Sequence, residues 1–361
     1  MELKQQKIAV LCNYELLPDR VGGMDTFFWQ FDKKCKENNI DVDWFFPNGA
    51  YHGDYKLLTI KYDPDKKSIE KFFLENLARE ETEYIHIITH FLELCTSFFY
   101  KVKQVSNAKI IGVDHNPRPL DGYPFIKSIK KRIKGLFFSH FIDSFIGVSE
   151  YTVKELLKDF GAHIRLKTQV IYNGINTAEI KTRTNRFYDK PTFLVASHLR
   201  QSKGIQDLIQ AVALMPVLIK NEIKIDIYGD GPYRKALELM VKVLKINNCF
   251  NFKGSSAQLK SLYGNYDYML QPTRMECFSL SILESLAANV PVITTNVGGN
   301  EEAIKNNENG YIFEAKNIKQ LTNLLQEIYM GNKKIKGNTR NLIEERFTID
   351  KMVSEYIQIV N

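Results

Sequence analysis

The chain reads as two consecutive α/β domains of the doubly wound, Rossmann-like kind. Three observations predict this. Short, continuously apolar runs alternate with helical patterns along the chain. The alternation stops near residues 170–185 and then starts again. The length, 361 residues, suits two cores at roughly 100–200 residues each. Strands that are apolar throughout, rather than at every second residue, imply burial on both faces and so a parallel sheet covered by helices.

The first domain is expected over residues 1–172. Residues 7–12 (KIAVLC) form its opening strand and 24–39 the helix that follows. Further strands are expected at 40–46, 84–89, 108–114 and 144–149, with helices at 68–80 and 150–160 among them. Turn residues and charges replace the apolar pattern in VIYNGINTAEIKTRTN (170–185), which marks the joint.

The second domain, 173–345, repeats the scheme. Strands are expected at 191–197, 223–229, 249–254, 266–272 and 290–296, and helices at 204–215, 232–246 and 280–288. A last amphipathic helix, 349–360, lies in the terminal segment 346–361.

Bulk composition narrows the function. Apolar residues make up 44% and charged residues 25%, an ordinary globular balance. The net charge of +7 suits an anionic ligand or an anionic surface. No helix-turn-helix, zinc-finger or RRM pattern accompanies it, so no nucleic-acid partner is expected. Cys12, Cys35, Cys95, Cys249 and Cys277 are odd in number and never form a C-x-x-C pair, as reduced cytoplasmic thiols would be. The apolar stretch near the N-terminus, Ile8–Cys12, is too short for a signal peptide, and no window of about 18 residues is uncharged and apolar. A cytoplasmic location is therefore expected, extending to the inner face of the cell membrane.

Ligands of doubly wound sheets bind beyond the carboxyl ends of the strands, and the chemistry-bearing residues fall there. The densest segment is 271–304. Glu276 precedes the helix at 280–288 and Glu284 lies inside it. A carboxylate accepts hydrogen bonds from two neighbouring hydroxyls, as vicinal diols of sugars present. The turn Cys277, Phe278, Ser279, Leu280 leads into the helix, where backbone N–H groups and the helix dipole suit sugar or phosphate oxygens. Ser281-x-x-Glu284 also fits a capping box, in which Glu284 closes its own helix.

This stretch resembles the signature of the retaining glycosyltransferase family 4, the glycosyl transferases group 1 of GT-B fold. The matching residues are Pro272, Thr273, Glu276, Cys277-Phe278-Ser279, Glu284, Pro291-Val292-Ile293, Gly298-Gly299 and Glu302. The resemblance implies that Glu276 and the following amides hold the donor sugar, and that Glu284 holds the ribose hydroxyls. The family turn is usually glycine-flanked, whereas Cys277 and Ser279 stand here. FLVASHLRQSKGIQDLIQA (193–211) resembles the family strand that ends before a Lys-Gly and a helix, with Lys203 and Gly204 matching. The resemblance assigns Lys203 to the diphosphate. His198 occupies the position of the family arginine, and Arg200 lies two residues on. IDIYGDGPYRKALE (225–238) resembles the family's Gly-Asp-Gly-Pro turn, and Gly254 in FKGSS resembles the loop that approaches the nucleobase.

The first half carries fewer landmarks. Gly22 and Gly23 in RVGGMDTFF (20–28) let backbone approach a phosphate or an acceptor. His115, beside Asp114 at a strand end, matches a family histidine that reaches the donor sugar. His90 is the likelier cleft residue of the pair His86 and His90. Asp41-Val42-Asp43 has the form of a metal motif, but strand alternation explains it. The family resemblance implies no essential metal and no cofactor beyond the nucleoside-diphosphate sugar itself. The basic, amphipathic segment 118–138, with Lys127, Lys130, Lys131, Arg132 and Lys134, suits an anionic bilayer or an anionic acceptor, or forms a solvated helix face.

The expected fold is thus GT-B, two domains facing a cleft with the terminal helix crossing back. The expected function is transfer of a sugar from a UDP- or GDP-type donor to a hydroxyl of a glycan, glycolipid or surface polymer. Catalysis would rest on Glu276, Lys203 and His115. The alternatives are a nucleotide-sugar epimerase or phosphorylase on the same fold, and an inactive binding relative.

Overall fold

The computed structural model describes residues 6–18, 21–65, 68–79, 82–183 and 190–361. Arg20 of the Gly–Gly motif, Glu80 of the helix expected at 68–80, and residues 184–185 of the joint lie outside them. The chain divides into two compact units, one running up to Gly174 and taking in Ile349–Asn361, the other Ile175–Thr348.

The first unit contains β1 (Gln6–Cys12), α1 (Gly23–Glu37), β2 (Ile40–Phe45), β3 (Thr59–Lys61), α2 (Ile69–Arg79), β4 (His86–His90) and α3 (Ser97–Val105). It continues with β5 (Lys109–Asp114), α4 (Phe125–Phe138), β6 (Ser144–Gly147), α5 (Glu150–Phe160) and β7 (Thr168–Val170). Its sheet has the order β3-β2-β1-β4-β5-β6-β7, and every pairing is parallel. Ile8 to Cys12 of β1 are fully buried, as a central strand covered on both faces requires.

The second unit contains β8 (Phe193–Ala196), α6 (Ile205–Ala213), α7 (Val217–Glu222), β9 (Ile225–Tyr228), α8 (Arg234–Val243), β10 (Phe250–Gly254), α9 (Leu259–Leu262) and β11 (Tyr268–Gln271). After these come α10 (Leu280–Ala287), β12 (Val292–Thr295), α11 (Asn300–Ala303), β13 (Gly310–Phe313), α12 (Ile318–Tyr329) and α13 (Arg340–Arg346). The order β10-β9-β8-β11-β12-β13, again parallel throughout, repeats that of the first six strands of the other sheet. Both therefore reverse direction beside their first strand, between β1 and β4 and between β8 and β11, which is where doubly wound sheets open a crevice.

The last helix, α14 (Ile349–Val360), belongs to the first unit. Its Tyr356 is buried against Phe27 and Phe31 of α1, with ring centroids 5.0 and 5.9 Å apart.

Several details depart from expectation. The edge strands β3 and β7, three residues each, carry no clear apolar run, whereas α12 has buried Leu321, Leu324, Leu325 and Ile328 at helical spacing and follows the buried strand β13. Within 118–138 only α4 is helical. Pro119 and Pro124 interrupt what precedes it. Arg118 is buried, donating to Asp114 at 2.7 Å and to Asp159 at 3.0 Å. Asp43 of the apparent metal motif is also buried, held by Lys7 at 2.9 Å, Lys61 at 3.3 Å and the Tyr84 hydroxyl at 2.6 Å. No helix among the described residues is long and apolar enough to cross a membrane.

Candidate active site

In the second unit the crevice between β8 and β11 is built by two loops. One leaves β8 and runs through Ser197 to Lys203 into α6; the other leaves β11 and runs from Pro272 into α10. They are fastened together. The Arg274 N–H donates to the Ser202 carbonyl at 2.8 Å, and the Arg274 guanidinium forks onto Asp207 of α6. Gly204 stands at φ +68°, and a methyl group there would overlap the Pro272 carbonyl oxygen.

That fastening delivers a charge pair. Lys203 Nζ lies 2.8 Å from Glu276 Oε2, with both side chains partly exposed. Gln271, at the end of β11, donates from Nε2 to Glu276 Oε2 at 3.3 Å and to Ser279 Oγ at 2.8 Å, so one buried amide ties the carboxylate to the helix cap. Gly298 (φ +64°) lets the next loop touch the backbone behind Glu276, and the Gly299 N–H donates to the Cys277 carbonyl at 2.8 Å.

The turn into α10 differs from the sequence reading in two respects. The helix is capped by Ser279, whose Oγ accepts the Ile282 N–H at 3.4 Å; Ser281 lies inside it, so no Ser281–Glu284 capping box forms. The Cys277 N–H is not left for a ligand, because it donates to Glu276 Oε1 at 3.1 Å. The N–H groups of Leu280 and Ser281, in the first turn, have no acceptor within the helix. Phe278 is buried and packs on Phe347 at 5.2 Å, so it offers backbone only.

Glu284, half-buried in the second turn of α10, accepts the Tyr263 hydroxyl at 2.9 Å. Burial raises its carboxyl above the usual range, against the opposing pull of Tyr263 and Lys260. His198 and Arg200 are exposed, and the Arg200 carbonyl accepts the Lys203 N–H at 2.9 Å. His198 sits beside Asp230, whose carboxyl is held low first by the Gly231 N–H, with Arg234 and His198 adding to it. Gly254 (φ +74°) accepts the Gly229 N–H at 2.9 Å, so the β8, β9 and β10 ends form one backbone cluster beneath His198.

The first unit carries a separate constellation at the β1–β4 reversal. His90 Nδ1 lies 2.9 Å from His115 Nε2, and His115 stacks on Phe91, whose centroid is 4.2 Å away. Burial drives His90 well below its usual pKa and His115 down to about 4. His90, read from the sequence as the cleft residue of the pair His86 and His90, is instead closed off beneath Phe27, Phe28 and Tyr356, and of His90 and His115 it is His115 that is partly exposed. Phe91 itself holds φ +59°, an uncommon conformation for an aromatic residue.

Beside it, Asp25 organises the Gly22–Gly23 loop. Its carboxylate accepts the Gly22 N–H at 2.8 Å, Tyr14 at 3.1 Å and Tyr55 at 2.6 Å. The Gly22 amide is thus engaged, while Gly23 and Met24 open α1. Sequence reasoning missed Asp25, Tyr14, Tyr55 and Gln271. An acidic residue three positions after a Gly–Gly pair, at N3 of a helix, is the signal that finds Asp25; an amide ending an apolar strand finds Gln271. Among the described residues no group of three or more His, Cys, Asp or Glu side chains is arranged to hold a metal ion.

Known proteins share this architecture. Residues 176–344 match the model for glycosyl transferases group 1, and residues 21–179 that for glycosyltransferase family 4. The UDP-N-acetylglucosamine–peptide N-acetylglucosaminyltransferase GtfA subunit of Streptococcus agalactiae is 31% identical over 174 residues, covering 47% of this chain and only 34% of that protein. An uncharacterized glycosyltransferase of Methanocaldococcus jannaschii is 27% identical over 403 aligned positions, covering 98% of this chain and 97% of its own. The crystal structure of HepE from Anabaena in complex with UDP superposes with a TM-score of 0.76 at 17% identity, covering 98% and 99% of the two chains. Two matched models that follow one another along the sequence, and two Rossmann-ordered sheets, give one conclusion: the chain belongs to the GT-B glycosyltransferases of the family 4 type.

Proposed function

We propose that the protein is a retaining glycosyltransferase that moves a sugar from a UDP- or GDP-type donor to a hydroxyl of a glycan or lipid-linked acceptor. The observation that carries this reading is the Lys203–Glu276 pair at the sheet reversal of the second unit, next to the N-terminal turn of α10. In the reaction the bond between the anomeric carbon and the diphosphate oxygen breaks, and the acceptor oxygen bonds to that carbon from the same face. The acceptor proton passes to the departing diphosphate. Lys203 meets the negative charge that grows on that diphosphate, with Arg200 and His198 on the same loop. Lys203 and Arg200 supply the positive charge for this stabilisation without an essential metal, and His198 adds a hydrogen-bonding group. Glu276, freed from Lys203, and the α10 amides orient the sugar hydroxyls, while Glu284 takes the ribose diol.

A uridine donor is favoured by the UDP bound in the HepE structure and by the donor named for the Streptococcus relative. In the first unit, His115 and the loop braced by Asp25 are assigned to substrate hydroxyls. His115 is neutral near pH 7, and with its Nε2 held against His90 Nδ1 the Nδ1 side of the ring is the one assigned to substrate.

The test is a panel of UDP- and GDP-sugars, read by thermal shift and by donor turnover with and without glycan acceptors. Selective stabilisation by one base and acceptor-dependent release of its diphosphate are expected, the release falling steeply in Lys203→Ala and Glu276→Ala. Wild-type turnover in both variants rejects the assigned roles. Conversion of the donor without acceptor, or consumption of inorganic phosphate, replaces the reading with an epimerase or a phosphorylase.

A further inference from the structure

The helix α4 is amphipathic the wrong way round for a soluble domain. Its contact with the first unit is made through Gly135, where an added methyl would overlap the Phe160 carbonyl of α5, and through Lys131, which reaches Asp159 at 2.9 Å. Arg132 holds the same side, donating to the Leu157 carbonyl at 3.0 Å. At 100° per residue, Phe125, Ile126, Ile129, Ile133, Leu136 and Phe137 fall within an arc of roughly 120° facing away from that contact. All six are exposed, from 42% for Ile129 to 79% for Phe125. An amphipathic surface helix normally turns such a stripe inward, and a contiguous apolar face of this kind marks an interaction site.

The charge around the stripe selects the partner. Lys127, Lys130 and Lys134 line one flank and Arg132 the other, and α4 contains no acidic residue. A symmetric pairing of two copies through this face would bring cations against cations, whereas an anionic surface neutralises them. We propose that α4 docks the protein on an anionic lipid bilayer, its apolar stripe entering the headgroup boundary and its lysines meeting lipid phosphates. None of these residues belongs to the donor site, so the inference stands or falls apart from the proposed activity.

The experiment is co-sedimentation of the full chain with vesicles of phosphatidylcholine alone and of phosphatidylcholine mixed with phosphatidylglycerol. Binding to the mixed vesicles, little to the neutral ones, and release by salt are expected. Ile129→Glu/Ile133→Glu and Lys127→Glu/Lys130→Glu should each weaken that binding about tenfold or more. Unchanged circular dichroism and unchanged thermal shift with UDP would confirm that the fold and the donor site are untouched. Wild-type chain left in solution beside the anionic vesicles, or double variants that bind as wild type does, overturn the proposal. So does light scattering that reveals a dimer which Ile129→Glu/Ile133→Glu dissociates.

Discussion

Lys203 Nζ stands 2.8 Å from Glu276 Oε2, so the two groups assigned to opposite ends of the donor neutralise one another. A diphosphate arriving at Lys203 competes with a carboxylate already in place, and its arrival frees Glu276 for sugar hydroxyls. Lys203→Ala should lower donor turnover about 10²–10³-fold, the usual loss when a single stabiliser of growing charge is removed. Steady-state kinetics with a UDP-sugar check this. Glu276→Gln should lower turnover too, yet tighten the binding of UDP itself, because Lys203 then has no competing anion; titration calorimetry reads that sign.

Glu284 should behave differently. Its carboxylate meets Tyr263 and lies a full helical turn beyond the Ser279 cap. Glu284→Gln keeps the shape and one acceptor. A rise of about tenfold in KM with kcat nearly intact is expected, since ribose contacts hold ground state and transition state alike. An equal fall in kcat would place Glu284 in the chemical step instead.

The backbone behind Glu276 is sterically exacting. Gly298 sits at φ +64°, and a side chain there would strike the Glu276 carbonyl oxygen. Gly298→Ala should destabilise the second unit by about 2–4 kcal/mol. Urea unfolding measures it, and a loss below about 0.5 kcal/mol would mean that the loop yields easily.

Asp25 accepts three hydrogen bonds while fully buried. Asp25→Ala leaves the Gly22 amide and two phenols without their acceptor, at a cost of about 2–4 kcal/mol. Tyr55→Phe removes one of the three donors and should cost about 1 kcal/mol. Thermal unfolding of the two variants gives the ranking.

Acid should weaken the fold through the paired imidazoles. In the folded state His115 titrates at about 4 and His90 also lies well below 6.5, whereas both return to about 6.5 when unfolded. Below pH 6.5 the unfolded chain therefore binds more protons. Stability is complete above that pH and declines as pH falls towards 4, by up to about 1.4 kcal/mol per pH unit for each ring. Urea titrations at pH 7 and pH 5 measure the loss, and His115→Gln should make the slope shallower.

The central strands were legible because burial on both faces writes an unbroken apolar run, as Ile8–Cys12 and Phe193–Ala196 show. Edge strands such as Thr59–Lys61 need only one apolar face and three residues, and so leave little trace. At the site, Glu276 and Lys203 were readable from their neighbours in sequence, though their mutual bond was not, since 73 residues separate them. Asp25 escaped because a buried polar side chain can be defined by a partner far along the chain: Tyr55 lies 30 residues away. Gln271 escaped although Glu276 and Ser279 lie only 5 and 8 residues on, because an apolar strand pattern does not show that its last side chain turns into the following loop. The outward face of α4 was equally hidden. Periodicity reports that a helix has two faces, and only the Gly135–Phe160 contact reveals which one the protein keeps for itself.

Tyr356 closes the aromatic cluster of Phe27 and Phe31 from more than three hundred residues downstream. During synthesis, a chain that has emerged only as far as Gly174 exposes that cluster with nothing to cover it, while Ile175–Thr348 already has every strand of its own sheet before the final helix is made. The first unit, whose own strands are all made by Val170, thus finishes packing this cluster only after the second unit has been synthesised.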